Sequence, residues 1–546
     1  MVRETLALNQ PMNSANLSPI TQIKERLHII IGTVLGLAGA IAGGLFAVGY
    51  GGNPVKSLML LTGVVTMVVA TLRPKTGLHL LILSSAFLDL IKRMLLAFGM
   101  SSMSDVTGVL AVSPMILVGT FFGVCVLHPI FTKRMLDQGE RRLALGALLL
   151  IGISMVLGFR EATSIPELLG NTANQAAYSL LVPIVYILYR RNGIREIEGL
   201  LRFTALIYIP VAAYGVFQFW FGYSQFEVDY LRSGLTTITA NLYDLHPRPF
   251  STLNSPHAYS TLMWFMAVTT IGLGFQRTDA NRAPRWLAIL YIASLLLSFV
   301  RGAIVFAIAN IFMGRWLKTR KGTITFHVAS LVTLALVVGF SQMLLDHLEW
   351  FQRYLPGDSD WQVVAFRLGT ISDRLQGYQS VLLNPRMYTL FGHGVSSTEL
   401  NLGYGEEGFS HDLLSATLYR FGIVGVLLIL SVGGFILWRI HRAVWRTPDR
   451  DHKALGGSLL AIFVLILISH IGGASYHVFP INLFMWLYLG LAITVCAQAM
   501  QTTQRLPTAD DRAKPRLHAT TPAIARREAG GADPLPGRAT RPSGAL

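Results

Sequence analysis

Residues 411–430, HDLLSATLYRFGIVGVLLIL, pass from a polar segment straight into a long apolar run. They follow a second polar stretch, residues 374–400, which reads RLQGYQSVLLNPRMYTLFGHGVSSTEL. Long apolar runs stand on both sides of this region, and an α-helix needs about 20 such residues to cross a bilayer. The pattern predicts a membrane protein in which a long polar loop, residues 343–412, separates two membrane-spanning helices.

The composition of the whole chain also indicates a membrane protein. Of its 546 residues, 52% are hydrophobic and only 14% are charged. Soluble domains carry about a quarter charged residues. The two cysteines, Cys125 and Cys496, stand in apolar runs and form neither a metal-binding spacing nor a disulfide framework. We therefore predict no metal and no cofactor.

The formal net charge of +16 does not indicate a nucleic-acid-binding protein, because of where the charges lie. Most Lys and Arg residues stand in short connectors between apolar runs and in the last part of the chain. Cytoplasmic flanks of membrane helices carry such an excess of basic residues. No zinc-finger or RNA-binding motif accompanies them. We expect membrane lipids, and no nucleic acid, as their partners.

We predict about fourteen membrane spans from the lengths of the apolar runs. With approximate edges they are 28–49, 57–72, 77–98, 109–127, 143–159, 176–189, 200–222, 257–275, 286–300, 302–315, 324–342, 413–438, 455–471 and 479–499. The fold class is thus an all-α, polytopic membrane helical bundle, with its large loop before the third-last span.

Basic residues concentrate in every second connector between these spans, which predicts the orientation. These connectors hold Arg73 and Lys75; Lys133, Arg134, Arg141 and Arg142; Arg190, Arg191 and Arg195; Arg277, Arg282 and Arg285; Arg315, Lys318, Arg320 and Lys321; and Arg439, Arg442, Arg446 and Arg450. The connectors 101–108 and 472–479 hold neither Lys nor Arg. Because basic connectors face the cytoplasm, we predict that both chain ends are cytoplasmic.

Three parts of the chain follow from this topology. Residues 1–27 form a polar cytoplasmic segment, and the apolar run after them is too long for a cleavable signal peptide. Residues 28–500 form the bundle, including the outside loops 223–256 and 343–412. Residues 501–546 are rich in Ala, Arg, Pro, Thr and Gly, which predicts a disordered basic cytoplasmic tail.

His411 stands at the outer boundary of the span that follows the long loop. A histidine there can take a proton from a hydroxyl group near neutral pH, because its ordinary pKa is about 6.5. The alternative is a polar helix cap or loop residue. Its neighbour Asp412 can orient the ring or serve as a first-turn acid that the helix dipole favours.

Arg301 interrupts the apolar sequence LYIASLLLSFVRGAIVFAIANIFM. A cation between apolar stretches is costly and indicates a functional site. It needs an anionic partner, and none lies near Arg301 in the sequence. Two short spans that meet at SFVRG place Arg301 at the outer face, whereas one over-long span buries it more deeply. A lipid diphosphate would suit a guanidinium, which binds phosphate oxygens in a bidentate fork. The alternative is an arginine that snorkels to lipid headgroups.

Three further residues are candidates for binding a substrate. Arg248 lies in RPFSTLNSPHAY, close to His257, where three prolines stiffen the chain; a rigid polar turn is the alternative. Arg374 lies in an amphipathic segment, 364–383, which predicts a helix on the membrane surface. The alternative for Arg374 is the headgroup-facing side of that helix.

Two other features have simple structural interpretations. Lys92 and Arg93 are intramembrane cations, and Asp89 lies four residues before Arg93, which predicts an ion pair within one helix. The sequence FGHGV at 391–395 predicts a glycine turn, with His393 as a structural residue. No Walker A motif is present, which argues against ATP-driven transport.

Taken together, these segments resemble the O-antigen ligase and O-antigen polymerase superfamily of bacterial envelope glycosyltransferases. The resemblance covers about residues 240–440 and rests on RPFSTLNSPHAYSTLMWF, SFVRG, DRLQGYQSVLLNP with LFGHGVSS, and HDLLSATLYRFGIVG, in this order. The family's usual SRG reads VRG here, its NPN element reads NSPH, and Asp412 replaces an asparagine, which leaves the role of His257 open.

The resemblance implies a metal-independent enzyme of the bacterial inner membrane with a periplasmic active site. Such an enzyme transfers a glycan from undecaprenyl diphosphate to a hydroxyl of lipid A core or of a growing glycan, in O-antigen or exopolysaccharide biosynthesis. It implies that Arg248, Arg301 and Arg374 bind diphosphate and glycan, and that His411 acts on the acceptor hydroxyl.

Two other classes of function compete with this interpretation. A secondary transporter or lipid-linked glycan flippase is compatible with about fourteen helices, but it predicts polar groups near mid-membrane. A peptidoglycan-type polymerase predicts a catalytic carboxylate in the outer loop, for which Asp358, Asp360 and Asp373 are the candidates.

Overall fold

The computed structural model describes residues 54–96, 108–132, 134–159, 176–233, 248–274, 285–317, 413–447, 449–469 and 478–505, with short pieces at 168–170, 172–173, 319–322, 324–325, 328–329, 332 and 389–392. In these ranges every regular element is a helix and no strand occurs. The predicted all-α class is therefore confirmed for this part of the chain.

In chain order the α-helices are α1 (Pro54–Leu72), α2 (Pro74–Leu95), α3 (Val112–Phe122), α4 (His128–Thr132), α5 (Gln138–Phe159), α6 (Leu181–Tyr189), α7 (Ile194–Ile207), α8 (Ile209–Phe221), α9 (Gln225–Arg232), α10 (Pro256–Gly274), α11 (Arg285–Leu297), α12 (Arg301–Trp316), α13 (Leu413–Arg446), α14 (Arg450–Ser469) and α15 (Ile481–Arg505). A π-helical segment, Gly123–Leu127, joins α3 to α4, and a 3-10 turn, Ala177–Leu180, precedes α6.

Several of these helices match the lengths that a bilayer requires. Among the described residues, five helical segments are long and apolar enough to cross a membrane: Gly108–Ile130, Ile194–Phe221, Phe421–Arg446, Arg450–Ser469 and Ile481–Gln501. They indicate a multi-pass membrane protein. The total of about fourteen spans and the long loop stay predictions, because 28–49 and most of 324–412 lie outside the described residues.

The predicted span at 200–222 consists of two helices. Helix α7 ends at Ile207 and α8 begins at Ile209, with Tyr208 between them at φ −85° and ψ 0°. Pro210 follows at the start of α8, where its missing N–H group costs nothing. Tyr208 is fully buried, so the bend lies in the core and not at the surface.

Helix α10 occupies the centre of the bundle. No side chain from Ala258 to Ala267 is more than 4% exposed. A helix that is buried on every side must be surrounded by other helices, and α10 packs against α7, α11, α12 and α14. Helix α13 is the opposite case, with Leu427, Leu430 and Phe435 each about 60% exposed, as expected of a lipid-facing surface.

Two glycines allow α1 and the Gly108–Ile130 segment to pack at very short range. Gly119 and Gly123 are four residues apart and face the backbone carbonyls of Met67 and Thr71, which are also four apart. A Cβ atom at either glycine would overlap the carbonyl oxygen opposite it. Small residues at this spacing let membrane helices approach closely and gain van der Waals contact.

Polar contacts divide the bundle into two ends. At one end, which we call the basic end, Lys75 pairs with Glu196 at 2.8 Å and Arg190 pairs with Asp137. At the other, the loop end, Arg93 pairs with Glu227. The basic end gathers connectors predicted to lie inside, and the loop end gathers residues predicted to lie outside. The grouping agrees with the predicted alternation of connectors, while the side of the membrane that each end faces stays a prediction.

Candidate functional site

The segment Arg248–Asn254, which we call the anchored segment, leads into α10 at the loop end. Three of its side chains each donate a hydrogen bond to the backbone of a different part of the bundle. Ser251 Oγ donates to Val211 O (2.5 Å), Thr252 Oγ1 to Ala86 O (2.5 Å), and Asn254 Nδ2 to Phe479 O (3.0 Å). These bonds tie the segment to α8, to α2 and to the residues before α15.

Ser251 adopts a backbone conformation that is unusual for a serine. Its φ angle of 54° lies in the left-handed region, which costs a non-glycine residue about 1–3 kcal/mol. Both of its backbone polar groups are bonded. The Ser251 N–H donates to Gln218 Oε1 at 2.6 Å, and its carbonyl oxygen accepts from Arg93 Nη2 at 2.6 Å. These two side chains hold the strained conformation in place.

Arg93 and Glu227 form an ion pair that is almost wholly removed from solvent. Their side chains are 2% and 0% exposed, and Arg93 Nη1 lies 2.7 Å from Glu227 Oε1. The same oxygen accepts from Gln218 Nε2 at 2.7 Å, while Glu227 Oε2 accepts from the backbone N–H of Ser224 at 3.0 Å. Ser224 and Glu227 thus form the capping box that starts α9.

The electrostatics of Glu227 reflect this burial. Loss of water raises the pKa of the Glu227 carboxyl above the ordinary glutamate value, and the positive charge of Arg93 opposes that rise. Hydrogen bonds from Ser224, Tyr214 and Gln218 oppose it as well. The carboxylate is therefore held by groups from α2, α8 and α9 together.

The predicted ion pair between Asp89 and Arg93 is wrong. Asp89 Oδ1 instead accepts from Lys92 Nζ at 2.8 Å, and Arg93 reaches only the backbone oxygen of Asp89, through Nε at 3.2 Å. The guanidinium fork needs two well-placed acceptors, and it finds them in Glu227 and Ser251. Helical spacing indicates neighbours within one helix, whereas this partner is 134 residues away.

Two of the predicted site residues lie on or beside the anchored segment. Arg248 is half-buried, and its carbonyl oxygen accepts a hydrogen bond from the Tyr223 hydroxyl at 2.8 Å. His257 is the second residue of α10 and is exposed, and its carbonyl oxygen accepts from Ser260 Oγ at 2.9 Å. Both predicted residues thus stand at the loop end, on either side of a tightly bonded stretch.

Arg301 is the first residue of α12. The helical geometry stops after Leu297 and resumes at Arg301, and we call the three residues between them the break. Of the two alternatives for SFVRG, the structure therefore has two helices and not one over-long helix. Phe299 in the break adopts a left-handed φ of 52°, and its ring lies 5.8 Å from that of Phe219 in the last turn of α8. The start of α12 is therefore at the loop end.

The last turn of α8 connects the two predicted arginine positions. Gln218 Oε1 accepts hydrogen bonds from the backbone N–H groups of Phe250 and Ser251. The ring of the neighbouring residue, Phe219, contacts that of Phe299, just before Arg301. Adjacent residues of one helix thereby hold the anchored segment and the start of α12 at the same end of the bundle.

Arg374 and His411 lie outside the described residues, but the helix that follows His411 is described. Its α-helical geometry is interrupted at Gly422, where φ is 66°. Beyond this break, the N–H groups of Ile423 and Val424 donate to the carbonyl oxygens of Thr389 and Leu390, at 3.0 and 3.1 Å. We call this arrangement the backbone clasp.

The backbone clasp includes part of the predicted glycine turn. Gly392 has a left-handed φ of 71°, in agreement with that prediction, whereas 393–395 lie outside the described residues. A Cβ atom on Gly422 would lie 2.5 Å from the carbonyl oxygens of both Thr389 and Leu390. The clasp therefore joins Thr389 and Leu390 to Ile423 and Val424, which lie 34 residues further along the chain.

Three residues that hold the anchored segment and α9 together were not predicted from the sequence. They are Arg93, in its contacts with Glu227 and Ser251, and the residues Gln218 and Glu227. Two signals were present. Ser224 and Glu227 have the S-x-x-E spacing of a capping box, which marks the start of a helix inside the predicted outside loop. Gln218 is a polar residue inside the apolar run FQFWF, where it needs a partner.

Comparison with known proteins adds no relative. No protein-family model matches the chain, and no curated protein matches it either.

Proposed function

We propose that the chain is a membrane glycosyltransferase that moves a glycan from undecaprenyl diphosphate to an acceptor hydroxyl, as an O-antigen or exopolysaccharide polymerase or ligase. The motif resemblance suggests this chemistry. The observation that carries the proposal is that Gln218 and Phe219 hold the Arg248 segment and the start of α12 at one end of the bundle. In the proposal, arginines from these distant parts of the sequence bind one substrate.

In this proposal Arg248, Arg301 and Arg374 bind the diphosphate and the glycan of the donor. Guanidinium groups bind phosphate oxygens in bidentate pairs and keep their charge at any physiological pH. When the sugar departs, negative charge grows on the diphosphate oxygen, and fixed cations stabilise that charge in the transition state. His257 lies at the same end of the bundle as Arg248, with its role open.

His411 acts as the general base. It accepts the proton of the acceptor hydroxyl while the acceptor oxygen forms a bond to the anomeric carbon of the donor glycan. The bond between that carbon and the diphosphate oxygen breaks, and undecaprenyl diphosphate leaves with the bonding electron pair. Both substrates are lipid-borne, so binding them at one face of a bilayer also orients them.

The proposed setting is the bacterial inner membrane, with the loop end facing the periplasm and both termini in the cytoplasm. The distribution of basic residues supports this orientation, since the connectors rich in Lys and Arg gather at the opposite end. The lipid-linked donor would then reach the loop end from the outer leaflet.

The flippase or transporter alternative predicts polar groups near mid-membrane, and buried charged pairs are the most costly groups of this kind. In the described part of the chain, the two ion pairs with both side chains under 10% exposed are Arg93–Glu227 and Lys92–Asp89. Both pairs take their cation from the last turn of α2, at the loop end of the bundle. This placement favours the glycosyltransferase.

Complementation of a deletion strain tests the proposal. Surface and lipid-linked glycans are separated on a gel after the wild-type chain, His411→Ala, Arg301→Ala or Arg285→Ala is added back. Arg285 starts α11 at the basic end and serves as the matched control, which should restore the wild-type pattern. His411→Ala and Arg301→Ala should not.

The pattern in the deletion strain also separates the two enzyme types. Loss of long chains, with one repeat still reaching the surface, indicates a polymerase. Long glycan that remains on undecaprenyl diphosphate, with none on the lipid A core, indicates a ligase. Full restoration by a chain carrying both His411→Ala and Arg301→Ala would contradict the proposal.

A further inference from the structure

All three guanidinium nitrogens of Arg93 donate hydrogen bonds at the loop end. Nη1 donates to Glu227, Nη2 to the carbonyl oxygen of Ser251, and Nε to the carbonyl oxygen of Asp89. Its Cζ atom also lies 4.6 Å from the centre of the Phe250 ring. One side chain of α2 therefore contacts α9 and two consecutive residues of the anchored segment.

Stability alone is a poor reason for such a residue. A buried ion pair loses its hydration, and apolar residues of similar volume often stabilise a fold equally well. Arg93 is 2% exposed, and its ion pair satisfies a single carboxylate oxygen. What an apolar residue could not do is bond the carbonyl oxygen of Ser251, whose left-handed backbone needs support.

The contacts continue from Arg93 to Arg248. The Phe250 ring that Arg93 covers lies 4.9 Å from the Tyr223 ring, and the Tyr223 hydroxyl donates to the carbonyl oxygen of Arg248. The backbone of Arg248 is thus fixed by a chain of direct contacts that begins on α2.

We propose that Arg93 is a positioning residue, which sets the position of Arg248 toward the donor diphosphate by holding the Phe250–Ser251 backbone. The effect on glycan transfer rests on the proposed function, whereas the effect on the position of residue 248 does not. Arg93 touches no substrate itself.

Thiol labelling of residue 248 tests the positional effect without any need for activity. Arg248→Cys is introduced into a chain with Cys125→Ala and Cys496→Ala, and a membrane-impermeant thiol reagent is added. Arg93→Gln should change the labelling rate at residue 248 by about tenfold, since it releases a charge-assisted hydrogen bond. Arg93→Lys keeps the charge but not the fork, so it should give a smaller change in the same direction.

Lys92→Gln provides the matched control. Lys92 is the next residue of the same helix and is also buried in an ion pair, but its described contacts are with Asp89 and Tyr230. It should lower stability as any lost buried pair does, and it should leave the labelling rate at residue 248 unchanged.

Transfer kinetics in the chain that keeps Arg248 provide the second readout. Arg93→Gln should raise the KM for the lipid-linked donor by about tenfold and Arg93→Lys should raise it by less, and both should leave the KM for the acceptor unchanged. An unchanged labelling rate in Arg93→Gln, or an equal change in Lys92→Gln, overturns the positioning role. Wild-type transfer by Arg248→Ala contradicts the proposed function and leaves the labelling result standing.

Discussion

The backbone nitrogen of Ile423 donates a hydrogen bond to the carbonyl oxygen of Thr389, 3.0 Å away, at the point where the α-helical geometry of α13 breaks. The first N–H groups of a helix have no partners within that helix, and here two of them donate to a separate segment of the chain. The short helical piece from Leu413 to the break at Gly422 begins two residues after His411, the proposed general base. The backbone clasp therefore fixes the far end of this helical piece.

Gly422→Ala should disrupt the backbone clasp and abolish most glycan transfer. The added Cβ would meet two carbonyl oxygens at 2.5 Å, and φ is 66°, so we expect a loss of about 1–3 kcal/mol in the free energy of unfolding. Thermal unfolding in detergent and a transfer assay measure the two effects.

Gly433→Ala is the control for this substitution. Gly433 belongs to the same helix, and a Cβ there meets nothing within 4 Å. It should stabilise α13 by up to about 1 kcal/mol, because alanine favours helix more than glycine does. Equal losses in Gly422→Ala and Gly433→Ala would contradict the role of the clasp.

Gly119→Ala and Gly123→Ala should each weaken the packing of α1 on the Gly108–Ile130 segment. Each Cβ would overlap a backbone carbonyl oxygen, so the helices must separate, at a cost of about 1–3 kcal/mol. Gly146→Ala, in α5, meets nothing within 4 Å and should not destabilise the protein. Denaturant unfolding in detergent gives the ranking, and a destabilising Gly146→Ala with a neutral Gly119→Ala would reverse it.

Glu227→Leu should be among the most destabilising single substitutions at the loop end. It leaves the charge of Arg93 buried and unpaired, which costs about 3–5 kcal/mol. Lys75→Ala breaks a pair at the basic end whose side chains are 48% and 49% exposed, and it should cost less than about 1 kcal/mol. Similar melting temperatures for the two variants would mean that Arg93 is not confined to its buried position.

Asp137 should make the stability of the basic end depend on pH. Partial burial alone would raise the pKa of Asp137, but hydrogen bonds from the Glu140 backbone and the charge of Arg190 lower it, so that its net pKa lies below the ordinary value. A carboxyl with a lowered folded-state pKa contributes stability above its unfolded pKa, which is about 3.9. That contribution is lost as the pH falls through the folded-state value.

Melting temperatures of the wild type and Asp137→Asn, measured between pH 7 and pH 3, check this sign. Asparagine keeps the cap of α5, where the Glu140 N–H donates to Asp137 Oδ1 at 2.9 Å, and removes the charge together with the oxygen that accepts from Arg190. The wild type should be the more stable of the two at neutral pH, and the difference should shrink below about pH 4. A difference that grows on acidification would contradict the assignment.

Much of the helix pattern was predictable because hydropathy and charge act locally. The apolar runs predicted between 57 and 315 and between 413 and 499 lie mostly in helices where the structure describes them, except at the bend of Tyr208 and after Leu297. Arg73 and Arg190 mark the basic end. SFVRG was ambiguous, since an apolar run does not show where a chain turns. The structure shows that SFVRG separates two helices, because Phe299 adopts a left-handed φ there, and the sequence does not indicate that conformation.

The partners at the loop end were not predictable in the same way. Spacing within a helix favoured Asp89 as the partner of Arg93, yet the two better acceptors, Glu227 and Ser251, come from distant segments. The capping box at Ser224 indicated a helix in the loop but not the residue that would reach it. The break at Gly422 depends on Thr389 and Leu390, which no local pattern connects with it.

The most direct measurement is glycan transfer by the purified full-length chain. Undecaprenyl-diphosphate-linked glycan and a hydroxyl acceptor are supplied in detergent or lipid, without nucleotide sugar and with a metal chelator present. We predict that the wild type forms the elongated or ligated glycan and releases undecaprenyl diphosphate, while His411→Ala, folded to the same melting temperature, forms less than about a hundredth as much. Equal product from the wild type and His411→Ala would contradict the central claim.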